Sequence, residues 1–458
     1  MTRTTASLAA ARDRPGGRDT AQRRTLVVLV IAQILGTVGL GVAPSIGILL
    51  AGEVTDNEAW AGLARTSSTL GAALLGIPLG NLAARRGRRT ALATGWWVAA
   101  AGAALLVAAA QFETVIPLFL GLLMTGAGTA ASLQARFAAT DLAAPSTRAR
   151  SLSLVVWMGA IGNVLGPNLG VPGEVVGEAT GLSVYAAAFL IAAVASLLAG
   201  TVIFALLRPD PLLVLARRQR ASARDVTGAG PEKHPAVTSE AASDVLADVV
   251  PDAEIAARAR PRRGERFRRM VAALRVNRRA RTALVALLTS QVVMVSLMTM
   301  TPVHIEHQGG SLTVVGLTIS LHVAGMFGLS PVVGILVDRI GHRGTIAIGI
   351  VIFAGSLAAA IFAAGSLAGV MVSLVLLGLG WSFMNVAASA LFATAIADRS
   401  RASAQGGADA LSNLLGATTS FAAGPLMVAT SFSVLGIVAA VLLVPILLLV
   451  LDPAPWRS

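Results

Sequence analysis

The feature that most constrains this chain is a succession of apolar stretches, each long enough to cross a membrane. A helix needs about 20 apolar residues to span the hydrocarbon core of a bilayer. The stretches do not alternate between apolar and polar residues as the strands of a membrane barrel do. The sequence therefore predicts an all-α membrane protein with twelve transmembrane helices, surrounded by lipid. Their predicted bounds are 25–50, 61–83, 90–110, 115–137, 149–172, 182–207, 281–306, 313–337, 344–363, 368–394, 402–429 and 431–451.

The composition excludes several function classes. Charged residues make up 13% of the chain, against about 25% in soluble domains, so we expect neither a soluble enzyme nor a nucleic-acid-binding protein. The absence of cysteine excludes disulfides and thiolate metal ligands. The chain has no nucleotide-binding G-x-x-x-x-G-K-[ST] loop, and its one lysine, Lys233, lies between the sixth and seventh segments. We therefore predict transport that is not driven by ATP and a protein without a cofactor.

The distribution of arginine predicts the orientation. Of the 36 basic residues, all but Arg65 and Arg136 fall in segments that face one side of the membrane, and the loops on the other side are acidic. Basic loops stay in the cytoplasm, so both termini are predicted to be cytoplasmic. The strong preference for arginine over lysine suggests a GC-rich bacterial genome, and we expect the bacterial plasma membrane.

A polar interruption and an internal repeat divide the chain. Gly80 opens the sequence GNLAARRGRR, and Gly334, 254 positions later, opens GILVDRIGHR. Pro167 and Pro425, each after a glycine, are 258 positions apart. Similar offsets at equivalent places indicate a duplicated six-helix unit, an arrangement typical of transporters with a central substrate path. The predicted parts are a tail (1–24), a six-helix half (25–207), a partly disordered cytoplasmic linker (208–280), a second half (281–451) and a tail (452–458).

The second copy of the repeated loop has the pattern of a known family. Gly334, Asp338, Arg339, Gly341 and Arg343 resemble the signature of the major facilitator superfamily, and the resemblance extends over residues 25 to 451. It implies two six-helix halves that work by alternating access, in a monomer, and a conformational latch at this loop.

The first copy keeps Gly80, Arg85 and Gly87 but has Ala84 where the family has an acidic residue. We expect the latch to be weaker on that side. In the fifth segment, Gly162, Gly166, Pro167 and Gly170 resemble the Gly-Pro motif of proton-driven exporters in the superfamily. Glycines allow close helix packing and proline kinks a helix, so this segment is predicted to bend.

The seventh and eighth segments contain residues that suit a soft metal. Met294 and Met298 are four residues apart and share a helix face, as do His322 and Met326. Thioethers and imidazole select Cu(I) over harder ions. The quartet resembles the CcoA-like copper importers, a branch of the superfamily. This resemblance makes Cu(I) uptake the best single substrate prediction, with the quartet as the path. The alternative structural interpretation is that the methionines pack helix interfaces.

Ionisable and polar residues within the segments support another function. Ionisable groups in membrane helices are functional candidates, and the candidates for proton coupling are Asp409, His322, Arg136 and Glu306. Six further side chains could contact an organic substrate: Gln33, Gln134, Asn163, Trp381, Asn385 and Asn413. The alternative to copper is therefore a proton-coupled transporter, most commonly an exporter, of small organic molecules or drugs. A receptor or scaffold that has lost transport is the third class.

Overall fold

The computed structural model describes residues 15–144, 147–217, 277–396 and 398–452. Within these ranges the ordered elements are helices, joined by short turns. The helices are α1 (Pro15–Gly41), α2 (Ile46–Thr55), α3 (Ala59–Arg86), α4 (Arg88–Phe112), α5 (Val115–Ala138), α6 (Arg148–Leu165), α7 (Gly170–Thr180), α8 (Val184–Leu206), α9 (Arg278–His307), α10 (Leu312–Gly328), α11 (Ser330–Phe362), α12 (Leu367–Ala395), α13 (Asp398–Ala429) and α14 (Phe432–Leu451).

The all-α membrane architecture predicted from the sequence is confirmed. In the part of the chain that the structure describes, nine spans are long and apolar enough to cross a membrane, or ten if the bent pair α6 and α7 is counted as one. The helix α10 is apolar but shorter, with 17 residues, and the more polar α13 does not reach the hydropathy of a span. The total of twelve crossings and the side on which the termini lie stay predictions.

Several helix ends differ from those predicted. The predicted segment 25–50 is two helices, because the chain turns between Gly41 and Ile46, where Pro44 lacks the amide that a continuous helix would need. The helix α1 also begins at Pro15, inside the predicted tail, because its polar first turns extend the apolar part. The predicted linker 208–280 is helical at 211–217 and at the start of α9. Residues 1–14, 218–276 and 453–458 of the predicted tails and linker lie outside the described residues.

The predicted bend in the fifth segment is present. The helix α6 ends at Leu165, a short 3₁₀ turn spans Gly166–Asn168, and α7 continues at an angle of 55°. Pro167 lies in that turn, where its ring fits the first positions of a new helix. The bend turns the end of α6 towards α10.

The repeated loop in the second half breaks at one of its glycines. Two helical stretches meet at a kink within α11, at Gly341, whose backbone angles are not helical, with φ 78°. Gly334 lies inside the first of these stretches. Glycine adopts positive φ without steric cost, so one residue is enough to change direction. The predicted segment 313–337 is instead divided at Leu329, since Pro331 occupies the first turn of α11 and cannot continue α10.

Both halves are packed around buried apolar residues. In the first half, which comprises α1 to α8, glycines bring the helices close together. A methyl group at Gly71 of α3 would lie 1.8 Å from the carbonyl oxygen of Leu123 in α5. In the second half, α12 packs against α9, α10 and α11, while α13 packs against α9 and α14 packs against α9 and α11. One continuous apolar cluster extends from α9 to α14 and includes Ile48, Leu49 and Ala61 of the first half. The principal contacts between the halves pair α3 with α13 and α6 with α10.

Candidate functional site

The two halves contact each other at one end of the bundle. We call the end with loop 53–58 the acidic end, and the end with loop 85–89 the arginine-rich end. Near the acidic end, the hydroxyl of Thr66 in α3 donates to the carbonyl oxygen of Ala417 in α13 at 3.0 Å. The hydroxyl of Ser420 donates to the carbonyl oxygen of Gly62 at 3.1 Å. A methyl group at Gly62 would lie 2.2 Å from the carbonyl oxygen of Ser420, so only glycine permits this approach.

A second contact between the halves lies beside the bend of α6. The side-chain amide of Asn168 donates to the hydroxyl of Ser320 in α10 at 2.6 Å, and that hydroxyl lies 2.5 Å from the carbonyl oxygen of Val164. An ion pair between Glu58 and His307 also joins the halves at the acidic end. Together with the α3–α13 contacts, these bonds close the acidic end.

The same helices separate towards the arginine-rich end. Ile77 lies eleven residues, or about three turns, beyond Thr66 on the same face of α3, and it is 49% exposed. In α13, Asp409 lies eleven residues before Ser420 on the same helix face, and it is also exposed. The halves therefore diverge from the closed acidic end.

A cavity of about 610 Å³ lies between the halves. Its walls combine apolar side chains with many polar ones, and both halves contribute. The polar, charged and aromatic residues that line it are Gln33, Thr37, Arg65, Ser68, Thr69, Thr129, Ser132, Arg136, Asn163, Gln291, Phe327, Trp381 and Asn413. A cavity of this size and composition suits a small organic molecule.

One wall of the cavity is aromatic. The rings of Trp381 and Phe327 meet edge to face, with centroids 5.9 Å apart. The indole Nε1 of Trp381 is buried and has no hydrogen-bond partner among the described residues. On the opposite half, Gln33 donates through Nε2 to Ser132, and its Oε1 is buried without a described partner. Both groups are buried and unpaired beside the cavity, so each must turn towards the cavity before it can bind a solute.

The charges at the cavity are unequal. Arg65 and Arg136 line it, and no acidic residue is among the lining residues. Arg136 interacts electrostatically with Asp409 from the other half, and its guanidinium lies 5.1 Å from the ring centroid of Phe137. Of the predicted proton-coupling residues, Arg136 lines the cavity and Asp409 lies within electrostatic range of it without an ion pair among the described residues, whereas Glu306 is exposed at the acidic end.

The predicted metal path lies outside this cavity. Met294, Met298 and Met326 are buried in the apolar core of the second half, and His322 is fully buried. The Nδ1 of His322 hydrogen-bonds with the carbonyl oxygen of Leu374 in α12 at 2.8 Å, and its Nε2 has no partner among the described residues. None of the four residues lines the cavity. The structure also shows no group of three or more His, Cys, Asp or Glu side chains fit to hold a metal ion within the described ranges.

The predicted organic-substrate contacts divide into two groups. Four of them, Gln33, Asn163, Trp381 and Asn413, line the cavity. Gln134 does not, and its side-chain amide donates to the carbonyl oxygen of Gly76 at 3.3 Å. Asn385 does not line the cavity either, although it follows Trp381 by about one turn, because the next turn of α12 lies beyond the cavity wall.

The conformational motifs occupy two kinds of environment. Gly162 and Gly166 lie against α1, where added methyl groups would be 2.1 Å from the hydroxyl of Thr37 and 2.5 Å from the carbonyl oxygen of Val38. Gly170 faces the other half. At the arginine-rich end, by contrast, Gly80 and Gly334 have open space around them, and Arg85, Asp338 and Arg339 are exposed.

The first repeated loop obtains its carboxylates from other segments. Asp141 forms an ion pair with Arg88 at 3.0 Å, and the carboxylate of Asp210 accepts a hydrogen bond from the backbone amide of Arg89 at 2.7 Å. Gly87 has φ 90° and lies against that carboxylate. These two acids lie beside the loop in which Ala84 replaces the acidic residue of the family signature. In the second loop, Arg343 donates to the carbonyl oxygen of Val450, at the end of α14.

Many of the cavity residues were not among the predicted site residues, Arg65, Gln291 and Phe327 among them. The sequence did contain an indication for Arg65, because it is one of two arginines outside the predicted cytoplasmic segments.

Comparisons with known proteins agree with this architecture. The sequence model of the Major Facilitator Superfamily matches residues 26–313 and 282–458. A Bacillus subtilis protein described as the uncharacterized MFS-type transporter YdeG is 35% identical over 449 residues, which are 96% of this chain and 95% of the relative. The riboflavin transporter RfnT of Brucella anthropi is 29% identical over 437 residues, covering 94% and 96% of the two chains.

Solved structures show the same fold. The crystal structure of the nucleoside transporter NupG superposes with a TM-score of 0.65 at 15% identity, covering 95% of this chain and 99% of the other.

Proposed function

Because this chain belongs to the Major Facilitator Superfamily, we propose that it moves a small planar organic solute through the cavity between its halves by alternating access. Membership of this family makes it a membrane transporter and not an enzyme. The observation that carries the proposal is the wall formed by Trp381 and Phe327, on which a flat ring can stack. The unpaired Nε1 of Trp381 and Oε1 of Gln33 would hydrogen-bond the edge of such a ring once these side chains turn towards the cavity.

The similarity to a riboflavin transporter supports this solute class, since riboflavin has a planar ring system with donors and acceptors along its edge. The cavity of about 610 Å³ has room for a molecule of that size. It is lined by both halves of one chain, so the transport unit we propose is a monomer. With the arginine-rich end in the cytoplasm of a bacterial cell, the conformation described here faces inward.

We propose protons as the coupling ion. Arg136 belongs to the first half and Asp409 to the second, and the two interact electrostatically next to the cavity. Protonation of Asp409 would release Arg136, which is what a coupling group that depends on conformation must do. The fully buried His322 is the second coupling candidate. Glu306, at the closed acidic end, is a candidate only for the conformation that opens there.

Transport of a planar probe tests the proposal. Purified full-length protein in proteoliposomes is expected to take up riboflavin faster than empty liposomes do. Trp381→Ala should reduce the rate about tenfold, as expected for the loss of one ring-stacking contact of about 1–1.5 kcal/mol, and Trp381→Phe should retain most of it. The exposed Trp157 provides the matched control, because Trp157→Ala removes an indole away from the cavity lining. Equal rates in protein-containing and empty liposomes, with riboflavin or other planar heteroaromatic solutes, would exclude the proposal.

Uptake of Cu(I) is the second candidate. The observation that favours it is the buried Nε2 of His322, which lacks a hydrogen-bond partner among the described residues and is free to bind a metal. The position of Arg65 opposes it, because its positive charge acts on His322 and would repel a cation. Copper accumulation in copper-starved cells distinguishes the two functions. If wild type accumulates copper and both Met298→Ala and His322→Ala abolish accumulation at equal expression, copper is the substrate. If the wild type and both variants accumulate only background copper, the organic solute remains the proposed substrate.

A further inference from the structure

Arg65 presents a positive charge to the cavity without an acidic partner. It lies on α3 between Ala64 and Ser68, which also line the cavity, and it is half-buried. The other lining arginine, Arg136, interacts with Asp409. No carboxylate in the described part of the chain forms an ion pair with Arg65, and none contributes to its electrostatic environment.

A charge in this position is costly unless something compensates for it. Removing a guanidinium from bulk water inside a membrane protein has a large desolvation cost, and such groups normally have a partner. The planar guanidinium has five N–H donors in a fixed geometry that matches the two oxygens of a carboxylate or phosphate. Thr69, one turn further along α3, and Gln291 from the opposite half add neutral hydrogen-bonding groups to the same cavity.

We infer that Arg65 binds an acidic oxyanion group of the transported solute, so that the substrate is an organic anion rather than a neutral or cationic molecule. This inference rests on the proposed function, because it places the anionic group on a solute whose ring lies against Trp381. The solute would bring the negative charge that the cavity lining lacks. The cavity would then discriminate against cations, which meet two guanidiniums and no lining carboxylate.

Two pairs of flavins test the inference, since each pair has the same ring and differs in one acidic group. Lumiflavin is compared with 10-carboxymethylflavin, and riboflavin with riboflavin 5′-phosphate. Binding to the purified full-length protein is measured by quenching of flavin fluorescence. In the wild type at least one anionic member is expected to bind at least about tenfold more tightly than its neutral partner, as is typical for a charge-assisted hydrogen bond.

The variants assign that preference to one residue. Arg65→Gln should remove the preference for the anion while lumiflavin binds as in the wild type, which shows that the cavity has kept its shape. Arg65→Lys should retain most of the preference. Arg217→Gln, which removes an exposed arginine that does not line the cavity, should change neither affinity.

The outcomes separate the two proposals. If flavins bind but their charge makes no difference in the wild type, or if the preference persists in Arg65→Gln, the inference is wrong and the planar-solute function stands. If neither a flavin nor any other planar heteroaromatic solute binds to the wild type, the proposed function itself fails, and the inference fails with it.

Discussion

Individual side chains of the cavity were only partly predictable. Gln33, Asn163, Trp381 and Asn413 were recognised because a polar or aromatic residue in an apolar stretch needs a reason to be there, and all four line the cavity. Sequence alone could not exclude Asn385, because the face that a helical residue presents depends on how its helix is packed. Arg65 was missed for a related reason, since its depth in the membrane depends on where α3 begins.

The charge pair beside the cavity leads to a prediction about coupling. A gradient of one pH unit provides about 1.4 kcal/mol per proton, which corresponds to about tenfold accumulation. In proteoliposomes with such a gradient, we expect the wild type to concentrate its solute and Asp409→Asn only to equilibrate it. Exchange of labelled for unlabelled solute should continue in the variant, because the fixed neutral side chain uncouples protons without blocking the cavity.

Glu178→Gln is the matched control, because it removes an exposed carboxylate of α7 that does not line the cavity. It should accumulate solute as the wild type does. Concentrative uptake by Asp409→Asn equal to that of the wild type would exclude Asp409 as the coupling residue.

At the scale of helices, the length of an apolar stretch predicts that a helix is present, and the residues at its ends determine where that helix begins and stops. The bend at Pro167 was predictable because proline lacks the amide that a continuous helix requires. The position of the break within α11 was not, because both Gly334 and Gly341 could allow one, and only Gly341 has non-helical backbone angles. Contacts between helices were hardest to anticipate, since they depend on which glycine faces which backbone.

Two glycines of α3 allow a matched test of this packing. A methyl group at Gly71 would lie 1.8 Å from the carbonyl oxygen of Leu123, whereas one at Gly76 would lie 3.6 Å from the methyl group of Ala130. We expect Gly71→Ala to destabilise the first half by about 1–3 kcal/mol, the usual cost of overpacking, and Gly76→Ala to be nearly neutral. Thermal unfolding of the purified variants measures the difference. Equal melting temperatures would show that α3 and α5 can separate at little cost.

At the scale of the whole molecule, the duplication was visible in the sequence but the relative position of the halves was not. Both copies of the repeated loop lie at the end where the halves diverge, and Gly80 and Gly334 have free space around them. The contacts that hold the acidic end closed combine hydrogen bonds, close approaches at glycine and a small apolar patch of Ile48, Leu49 and Ala61 against the second half. A two-state molecule needs an interface of this kind, because neither conformation can be much more stable than the other.

The glycine contact at the acidic end gives a prediction about that equilibrium. In Gly62→Ala the added methyl group would lie 2.2 Å from the carbonyl oxygen of Ser420, so the acidic end could not close as it does here. A cost of about 1–3 kcal/mol would shift the ratio of the two conformations by about 5- to 150-fold. The chain has no cysteine, so a single introduced cysteine reports accessibility directly. Ile77→Cys, now exposed, should lose reactivity towards maleimide in the Gly62→Ala background, and Ala423→Cys, 2% exposed, should gain it.

Gly80→Ala serves as the comparison, because that glycine lies in the same helix with nothing within 4 Å of the added methyl group. It should leave the maleimide reactivity of Ile77→Cys and of Ala423→Cys as it is without the Gly80→Ala substitution. If Gly62→Ala also leaves them unchanged, the contact between α3 and α13 does not determine which end is open, and the ion pair of Glu58 with His307 becomes the next candidate. If Gly62→Ala, and not Gly80→Ala, lowers the reactivity of Ile77→Cys and raises that of Ala423→Cys, close approach at a single glycine controls access to the cavity from the acidic end.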